Sequence, residues 1–427
     1  MRKEDLLRYL IDKKEIIKDL YVFSRDTTLE PTKDFIISIV GPRRAGKTYS
    51  LYDLIKNKLK LREEDFIFMD FEDAELADMN FNEILDAVNL HEEYYGKKPA
   101  YIFLDEVQNI KNWSKSVRSL FETKKYSIFV SGSSSKLLSK EIATSLRGRS
   151  LTYCILPFSF KEFLKFKNFE PKEMYTTSEE NKIKNYMREY LTYGGFPDVI
   201  NEKKIANRFF KEYIDLVVFR DVVERHKVKN TFVVKFLIKN LLSSFSKEFS
   251  IHKIFLTLKS QGIKVSKKTV YEYATYLEDA FFSFFHKKFS YSLKNIELSI
   301  PKVYINDVGI INFSLPKSSE NIGKLMENAV FLELKRREKE AYYWKDLQHE
   351  VDFVVKENGD KIEQLIQVCY DISDINTKKR EFDALVKAAR EFRCKNLLLI
   401  TYDQEGEEEI KGKKIKLIPL WKWLLSK

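Results

Sequence analysis

The sequence predicts an α/β protein. Its N-terminal third reads as a parallel sheet covered by helices. A mostly helical segment, a winged helix-turn-helix and a second, smaller α/β domain follow. Three observations carry this reading. Short continuous apolar runs recur at FIISIV (35–40), DFIFMDF (65–71), AYIFLDEV (100–107) and YSIFVSGS (126–133), with helical patterns between them. A strand buried on both faces needs such a run, and strands alternating with helices give βαβ units. From about residue 158 the pattern turns helical and rich in Phe, Tyr, Lys and Glu, and from about 310 helix and strand patterns alternate again.

A chain of 427 residues exceeds one ordinary core and suggests two to four domains. The shifts in pattern place boundaries at 1–157, 158–245, 246–310 and 311–427. Taken in order, residues 1–20 read as an amphipathic helix, and the four apolar strands follow. The break at LTYGGFPDVI (191–200) marks a turn between helices. Residues 249–290 read as a helix, a turn at Gly262, a second helix capped by Ser266, and then strands, which is the layout of a winged helix-turn-helix. The last segment opens with a helix at ENAVFLELKRR. Strands follow at YYWKD, EVDFVVKE and KIEQLIQVCYDIS, then a helix at KKREFDALVKAAREF and a strand at NLLLITYD, and the helix PLWKWLL closes the chain.

Hydrophobic residues at 44% suit a globular protein, and only 13 Gly and 9 Pro argue against flexible linkers. A net charge of +11 favours an acidic partner such as nucleic acid. Cys154, Cys369 and Cys394 are far apart and odd in number, so neither a disulfide framework nor a zinc site is expected and a reducing compartment is. The start, MRKEDLLRYLIDKKE, lacks a signal-type apolar core, and no apolar run is long enough to cross a bilayer. A cytoplasmic protein with no membrane partner is expected.

The run FIISIV leads into GPRRAGKT, which fits G-x-x-x-x-G-K-[ST]. A glycine turn entering a helix N-terminus offers backbone N–H donors and the positive end of a helix dipole to phosphate. ATP is therefore the expected ligand, held by Gly41, Pro42, Arg43, Arg44, Ala45, Gly46, Lys47, Thr48 and Tyr49. Lys47 would reach the β- and γ-phosphates, and the Thr48 hydroxyl would ligate Mg²⁺. In YIFLDEVQNI two carboxylates end an apolar strand. Asp105 would hold Mg²⁺ through water, and Glu106 would act as general base on the attacking water. Ser131 and Ser133, at the end of the fourth strand, are placed to reach the γ-phosphate or the water. Arg147 and Arg149 are candidates for stabilising transition-state charge. At least one of Arg43 and Arg44 should turn away from phosphate and pair with an acid, such as one of MDFEDAE.

The set GPRRAGKT, FLDEVQNI, SGSSSKLL and LRGR resembles the archaeal and bacterial AAA-type P-loop ATPases whose core is followed by a domain of uncharacterised function. The likeness extends through LTYGGFPDVI and the helix-turn-helix to EVDFVV, and so covers nearly the whole chain. It implies an AAA-type core in the branch that includes signal-transduction ATPases, a helical lid over 158–245, and ATP hydrolysis. It also makes Arg149 the better arginine-finger candidate, in cis or from a neighbouring copy.

The stretches GKLMENAVFLELK, EVDFVV and LIQVCY resemble a PD-(D/E)xK, restriction-endonuclease-like core. The resemblance implies Glu327 and Asp352 as metal carboxylates. Where it requires E-x-K, this chain has Gln367, Val368 and Cys369. An amide is a poorer Mg²⁺ ligand than a carboxylate, and a thiol cannot replace the lysine. Spacing gives no reason to expect Glu363, Asp371 or Asp374 to compensate, so an inactive nuclease fold is expected.

In the helix-turn-helix, Lys267, Lys268 and Tyr271 would face duplex DNA, and a wing through HKKFSYSLKN would add Lys287, Lys288 and Lys294. Three readings stay open from sequence: an ATPase coupled to DNA binding, a nucleotide-driven switch that binds protein or itself, and a Mg²⁺-dependent nuclease.

Overall fold

Burial on both faces calls for short, mostly apolar strands, and four of the five strands of the N-terminal sheet are of this kind. The computed structural model describes residues 2–133, 148–316, 322–357, 359 and 361–426. Two compact units divide the chain. The first is Met1–Leu156 with Asp279–Phe281, and the second is Pro157–Glu278 with Phe282–Lys427.

In the first unit, β1 (Ile36–Val40), β2 (Phe66–Asp70), β3 (Tyr101–Asp105), β4 (Ser127–Gly132) and β5 (Ser150–Cys154) pair in the order β2-β3-β4-β1-β5. All four pairings are parallel. Phe68, Phe103 and Phe129 lie side by side on β2, β3 and β4, with Phe103 stacked 4.9 Å from Phe129 and 6.3 Å from Phe68. This aromatic row ties the central strands together on one face. The edge strand β5 keeps no residue fully buried, so it carries no apolar run to announce it. The helices α1 (Lys3–Asp19), α2 (Lys47–Asp53), α3 (Glu83–Tyr95) and α4 (Trp113–Glu122) cover the sheet. The order inserts β4 between β1 and β3. The C-terminal ends of these three strands therefore bring the glycine loop, Ser131 and the Asp105–Glu106 pair to one edge.

The second unit begins with helices at Phe160–Phe166 and Thr177–Tyr193, each opened by a capping box, Ser159 with Glu162 and Thr176 with Glu179. The turn at Gly194–Gly195 packs on Asp307, whose carboxylate accepts from Gly195 N and Gly309 N, each at 2.7 Å. The helices Ile251–Ser260 and Lys267–Asp279 flank a turn in which Gly262 has φ +75°. Ser266 Oγ caps the second, accepting from Thr269 N at 3.0 Å. A three-stranded antiparallel sheet, β6 (Lys247–Glu248), β7 (Ser283–His286) and β8 (Lys302–Ile305), follows in the order β6-β8-β7.

The expected wing through HKKFSYSLKN is not a β-hairpin. After β7 the chain pairs sideways with Tyr343, through Phe289 N to Tyr343 O at 2.7 Å and Tyr343 N to Lys287 O at 3.1 Å. It then forms the helix Leu293–Leu298 before returning as β8. The extended backbone is taken by a neighbouring strand, so it cannot fold back on itself.

The C-terminal sheet runs β13-β14-β12-β11-β10-β9. Its strands are β9 (Ala341–Lys345), β10 (Glu350–Lys356), β11 (Ile362–Val368), β12 (Leu397–Thr401), β13 (Gly406–Ile410) and β14 (Lys413–Pro419). The helices Ile322–Arg336 and Ile375–Glu391 pack against it. The closing helix Leu420–Leu425 buries Leu420, Trp421, Trp423 and Leu424. Among the described residues, no helix is long and apolar enough to cross a membrane.

Candidate functional site

The glycine loop follows β1 and opens α2. Gly41 has φ +151°, and a Cβ there would fall 2.1 Å from the carbonyl oxygen of Ile155. Only glycine lets the loop pass this close to the strand-end backbone. Gly46, at φ +91°, is the N-cap of α2, so the first N–H groups of the helix point into the loop.

Lys47 and Thr48 form the first turn of α2. Lys47 is buried; its Nζ donates to Pro42 O at 3.3 Å and lies 3.3 Å from Glu106 Oε1. Thr48 Oγ1 donates to Asp105 Oδ2 at 2.5 Å. Ser131 is fully buried, donates to Asp105 Oδ1, and accepts from Glu106 N at 3.1 Å. The hydroxyl proton expected to face phosphate or water is thus committed to Asp105, and Ser131 positions the two acids. Ser133 is buried as well.

Burial raises the Asp105 carboxyl well above the carboxylate range, with the charges of Glu106 and Asp70 adding to it; Ser131 and Thr48 pull the other way. Burial also acts to raise Glu106, but Lys47, Gln108 and Arg43 outweigh it and leave the carboxyl below its ordinary value. Glu106 sits at φ +49°, a left-handed conformation that a side-chain-bearing residue adopts only under constraint. Gln108 Nε2 donates to Glu106 Oε2, while Gln108 Oε1 is buried with no hydrogen-bond partner among the described residues.

Arg43 forms the expected type of pair, Nη1 to Glu72 Oε1 at 3.0 Å, with an acid of MDFEDAE. Arg44 is exposed at φ +59°. Tyr49 is also exposed, its ring 5.7 Å from that of Tyr52. Arg147 lies outside the described residues. Arg149 is exposed, and its carbonyl accepts from Ile36 N at 3.0 Å at the start of β1. The loop begins at Gly41, five residues on, or about 17 Å along the strand at ~3.3 Å per residue. The structure therefore places the Arg149 backbone at the opposite end of β1 from the loop.

Sequence reasoning missed Arg25. It is 4% exposed; Nη1 donates to Ala45 O and Nη2 to Leu156 O, both at 2.9 Å, and its backbone N donates to Asp53 Oδ2 at 3.1 Å. It braces the glycine loop from outside the motif. An isolated Arg in SRDTTLE gives no local signal for this.

In the second unit, Glu327, Asp352 and Gln367 do converge. Asp352 N donates to Gln367 Oε1 at 3.1 Å, and Gln367 Nε2 to Glu381 Oε2 at 2.6 Å. Two partners there were not expected: Lys302 on β8, and Tyr304, which donates to Glu327 Oε1 at 2.6 Å. The remaining acids are elsewhere. Glu363 pairs with Lys339 at 2.8 Å, Asp371 accepts from Ser373, and Asp374 caps Thr377 N at 2.7 Å. Cys369 donates to Asp371 O. Lys267 and Lys268 are exposed at the start of their helix, with Tyr271 one turn on.

The sheet order, the glycine loop and the paired acids define a P-loop unit of AAA type, and the family described as "AAA domain" matches residues 33–164. Two families described as domains of unknown function, DUF8612 and DUF4143, match residues 184–321 and 322–423. The chain belongs to the same family as the uncharacterised protein MJ1544 of Methanocaldococcus jannaschii, to which it is 41% identical over 98% of this chain and 94% of that one. An uncharacterised protein of Haemophilus influenzae is 29% identical over 92% of this chain and 95% of its own. Among solved structures, the Walker-type ATPase PABY2304 of Pyrococcus abyssi aligns over 70% of this chain and 99% of its own, at 14% identity and a TM-score of 0.41. That likeness is too loose to bring any role across.

Proposed function

We propose that the first unit binds ATP with Mg²⁺ and hydrolyses it. The observation that carries this reading is the convergence of Lys47 and Thr48 from α2 with Asp105 and Glu106 from β3 at the glycine loop. The site also fits a cation. Among the described residues, both oxygens of the buried Asp105 carboxylate are met by hydroxyls and neither by a positive side chain. Thr48 and Asp105 would hold Mg²⁺, which neutralises phosphate charge when bound. Lys47 would leave Glu106 for the phosphates, freeing Oε1 to accept a proton from water. Gln108 keeps Oε2 in place meanwhile. Lys47→Ala should abolish ATP binding, whereas Glu106→Gln should bind ATP normally with turnover lost. Wild-type rates in both variants would remove the assignment.

The nucleotide state, in this reading, governs how the second unit engages duplex DNA. The supporting observation is the exposed cluster of Lys267, Lys268 and Tyr271 at a capped helix start, in a chain of net charge +11. Lysines with few arginines suit phosphate contact over base reading. Lys267→Glu with Lys268→Glu should weaken salt-dependent duplex binding severalfold; unchanged affinity would sink the DNA role. A protein-binding switch is the second reading. It draws on the apolar side chains exposed where a wing was expected and just after it: Tyr291 at 68% and Leu293 at 80%, then Leu298 at 73%. Glu106→Gln recovering a protein partner but no DNA from a lysate would favour it.

A further inference from the structure

The nuclease-like cluster of the second unit already contains a cation, supplied by a side chain. Lys302 enters from β8, outside the segment that carries the acids, and is 2% exposed. Its Nζ lies 2.9 Å from Glu327 Oε1, 2.7 Å from Glu350 Oε1 and 2.9 Å from Asp352 Oδ1. An ammonium has three protons and no acceptor, and three carboxylate oxygens meet them.

Further donors meet the same three acids. Glu327 Oε1 accepts from the Tyr304 hydroxyl, Asp352 Oδ2 from Val368 N at 3.0 Å, and Glu350 Oε2 pairs with Lys345 at 3.2 Å. Gln367 cannot serve as a ligand in place of the missing carboxylate, because its oxygen takes Asp352 N and its amide nitrogen gives to Glu381. A Mg²⁺ ion needs near-octahedral oxygens at about 2.1 Å. The three carboxylates are instead spread around a nitrogen at hydrogen-bonding distances. Among the described residues, no group of three or more His, Cys, Asp or Glu could hold a metal ion.

We propose that Lys302 is the resident cation of this cluster, standing where a nuclease of this fold would place a divalent metal. The domain then works without metal. The carboxylates then serve as partners of Lys302, and the ion cluster fixes β8 to the helix Ile322–Arg336 and to β10. A buried cluster of this kind is weak evidence for net stability, yet removing one partner leaves the others uncompensated.

The experiment is Mn²⁺ binding followed by electron paramagnetic resonance, on the full chain without nucleotide. Wild type and Asp352→Asn should bind the same number of Mn²⁺ ions, since neither has an open site here. Loss of a Mn²⁺ equivalent on Asp352→Asn would overturn the proposal. Lys302→Ala should melt at lower temperature, gain one Mn²⁺ equivalent, and recover its melting temperature with Mn²⁺. The gain should vanish in Lys302→Ala with Asp352→Asn. A folded Lys302→Ala that takes up no Mn²⁺ would show that the ammonium does not stand in for a metal. If Lys302→Ala does not fold, the comparison of wild type with Asp352→Asn still decides whether the cluster admits a divalent ion.

Discussion

Replacing Arg25 with alanine should loosen the glycine loop without touching any residue of the motif. The guanidinium is buried and spans two carbonyls, Ala45 O in the loop and Leu156 O beyond β5, at 2.9 Å each. A hydrogen bond from a charged donor contributes about 1.5–3 kcal/mol. Two such bonds set an upper figure of about 6 kcal/mol. Water entering the vacated space would satisfy part of the loss, which brings the expected cost to about 3 kcal/mol. That corresponds to roughly a hundredfold in an opening equilibrium.

Hydrogen exchange suits this measurement, because a two-unit chain has no single unfolding free energy. Peptides covering residues 36–55 should exchange about a hundredfold faster in Arg25→Ala, while those from the C-terminal sheet stay unchanged. Arg25→Lys keeps the charge but cannot bridge both carbonyls, so it should fall between the two. KM for ATP should rise in the same order, since the loop amides that hold phosphate are no longer pre-set. Exchange in Arg25→Ala within twofold of wild type would refute the brace.

Gly41→Ala should block nucleotide binding, because its Cβ would meet Ile155 O at 2.1 Å; wild-type ATP affinity by calorimetry would contradict the loop geometry. Phe103→Ala, at the middle of the aromatic row, should cost the first unit about 3–5 kcal/mol, read by denaturation. Lys14 has its pKa lowered to about 7 by burial, partly offset by Glu63 and Glu64. The unfolded chain therefore binds more protons between about pH 7 and 10.5, and stability should rise with pH across that window by up to ~1.4 kcal/mol per unit. Melting curves of Lys14→Met should lose this rise. If Arg149 serves a neighbouring copy, Arg149→Ala should regain turnover when mixed with Glu106→Gln. No regain would remove it from the site.

The first unit was largely legible because its chemistry is local. FIISIV, GPRRAGKT and YIFLDE each hold an element and its functional groups within a few residues, and parallel pairing follows from two-sided burial. The fifth strand was not legible, because an exposed edge leaves no apolar run. The hairpin of β13 and β14 was missed for a different reason. Its turn, Lys411–Gly412 at φ +54° and +75°, was visible, but the strand GEEEI reads as a solvated acidic stretch. Arg25 and Lys302 were illegible in principle, since each is defined by partners twenty or more residues distant. The resemblance placed Glu327 and Asp352 together, but nothing in LSIPKVYI marks its lysine as their counter-ion.

Both units set a lysine against buried carboxylates, and the difference between the two settings argues for their different uses. Lys47 sits at the first turn of a helix that opens from a loop, with one carboxylate and one carbonyl as partners among the described residues, both at 3.3 Å. Those contacts are long and, among the described residues, leave a donor to spare, so phosphate oxygens can displace them at little cost. Lys302 sits inside a strand paired on both sides, its three protons met at 2.7–2.9 Å. Drawing it out would expose three carboxylates to one another in a buried site. A lysine that must change partners in each catalytic cycle needs the first arrangement, and a lysine that substitutes for a metal needs the second. The backbone that carries each lysine, more than the identity of the residues around it, separates an exchangeable charge from a fixed one.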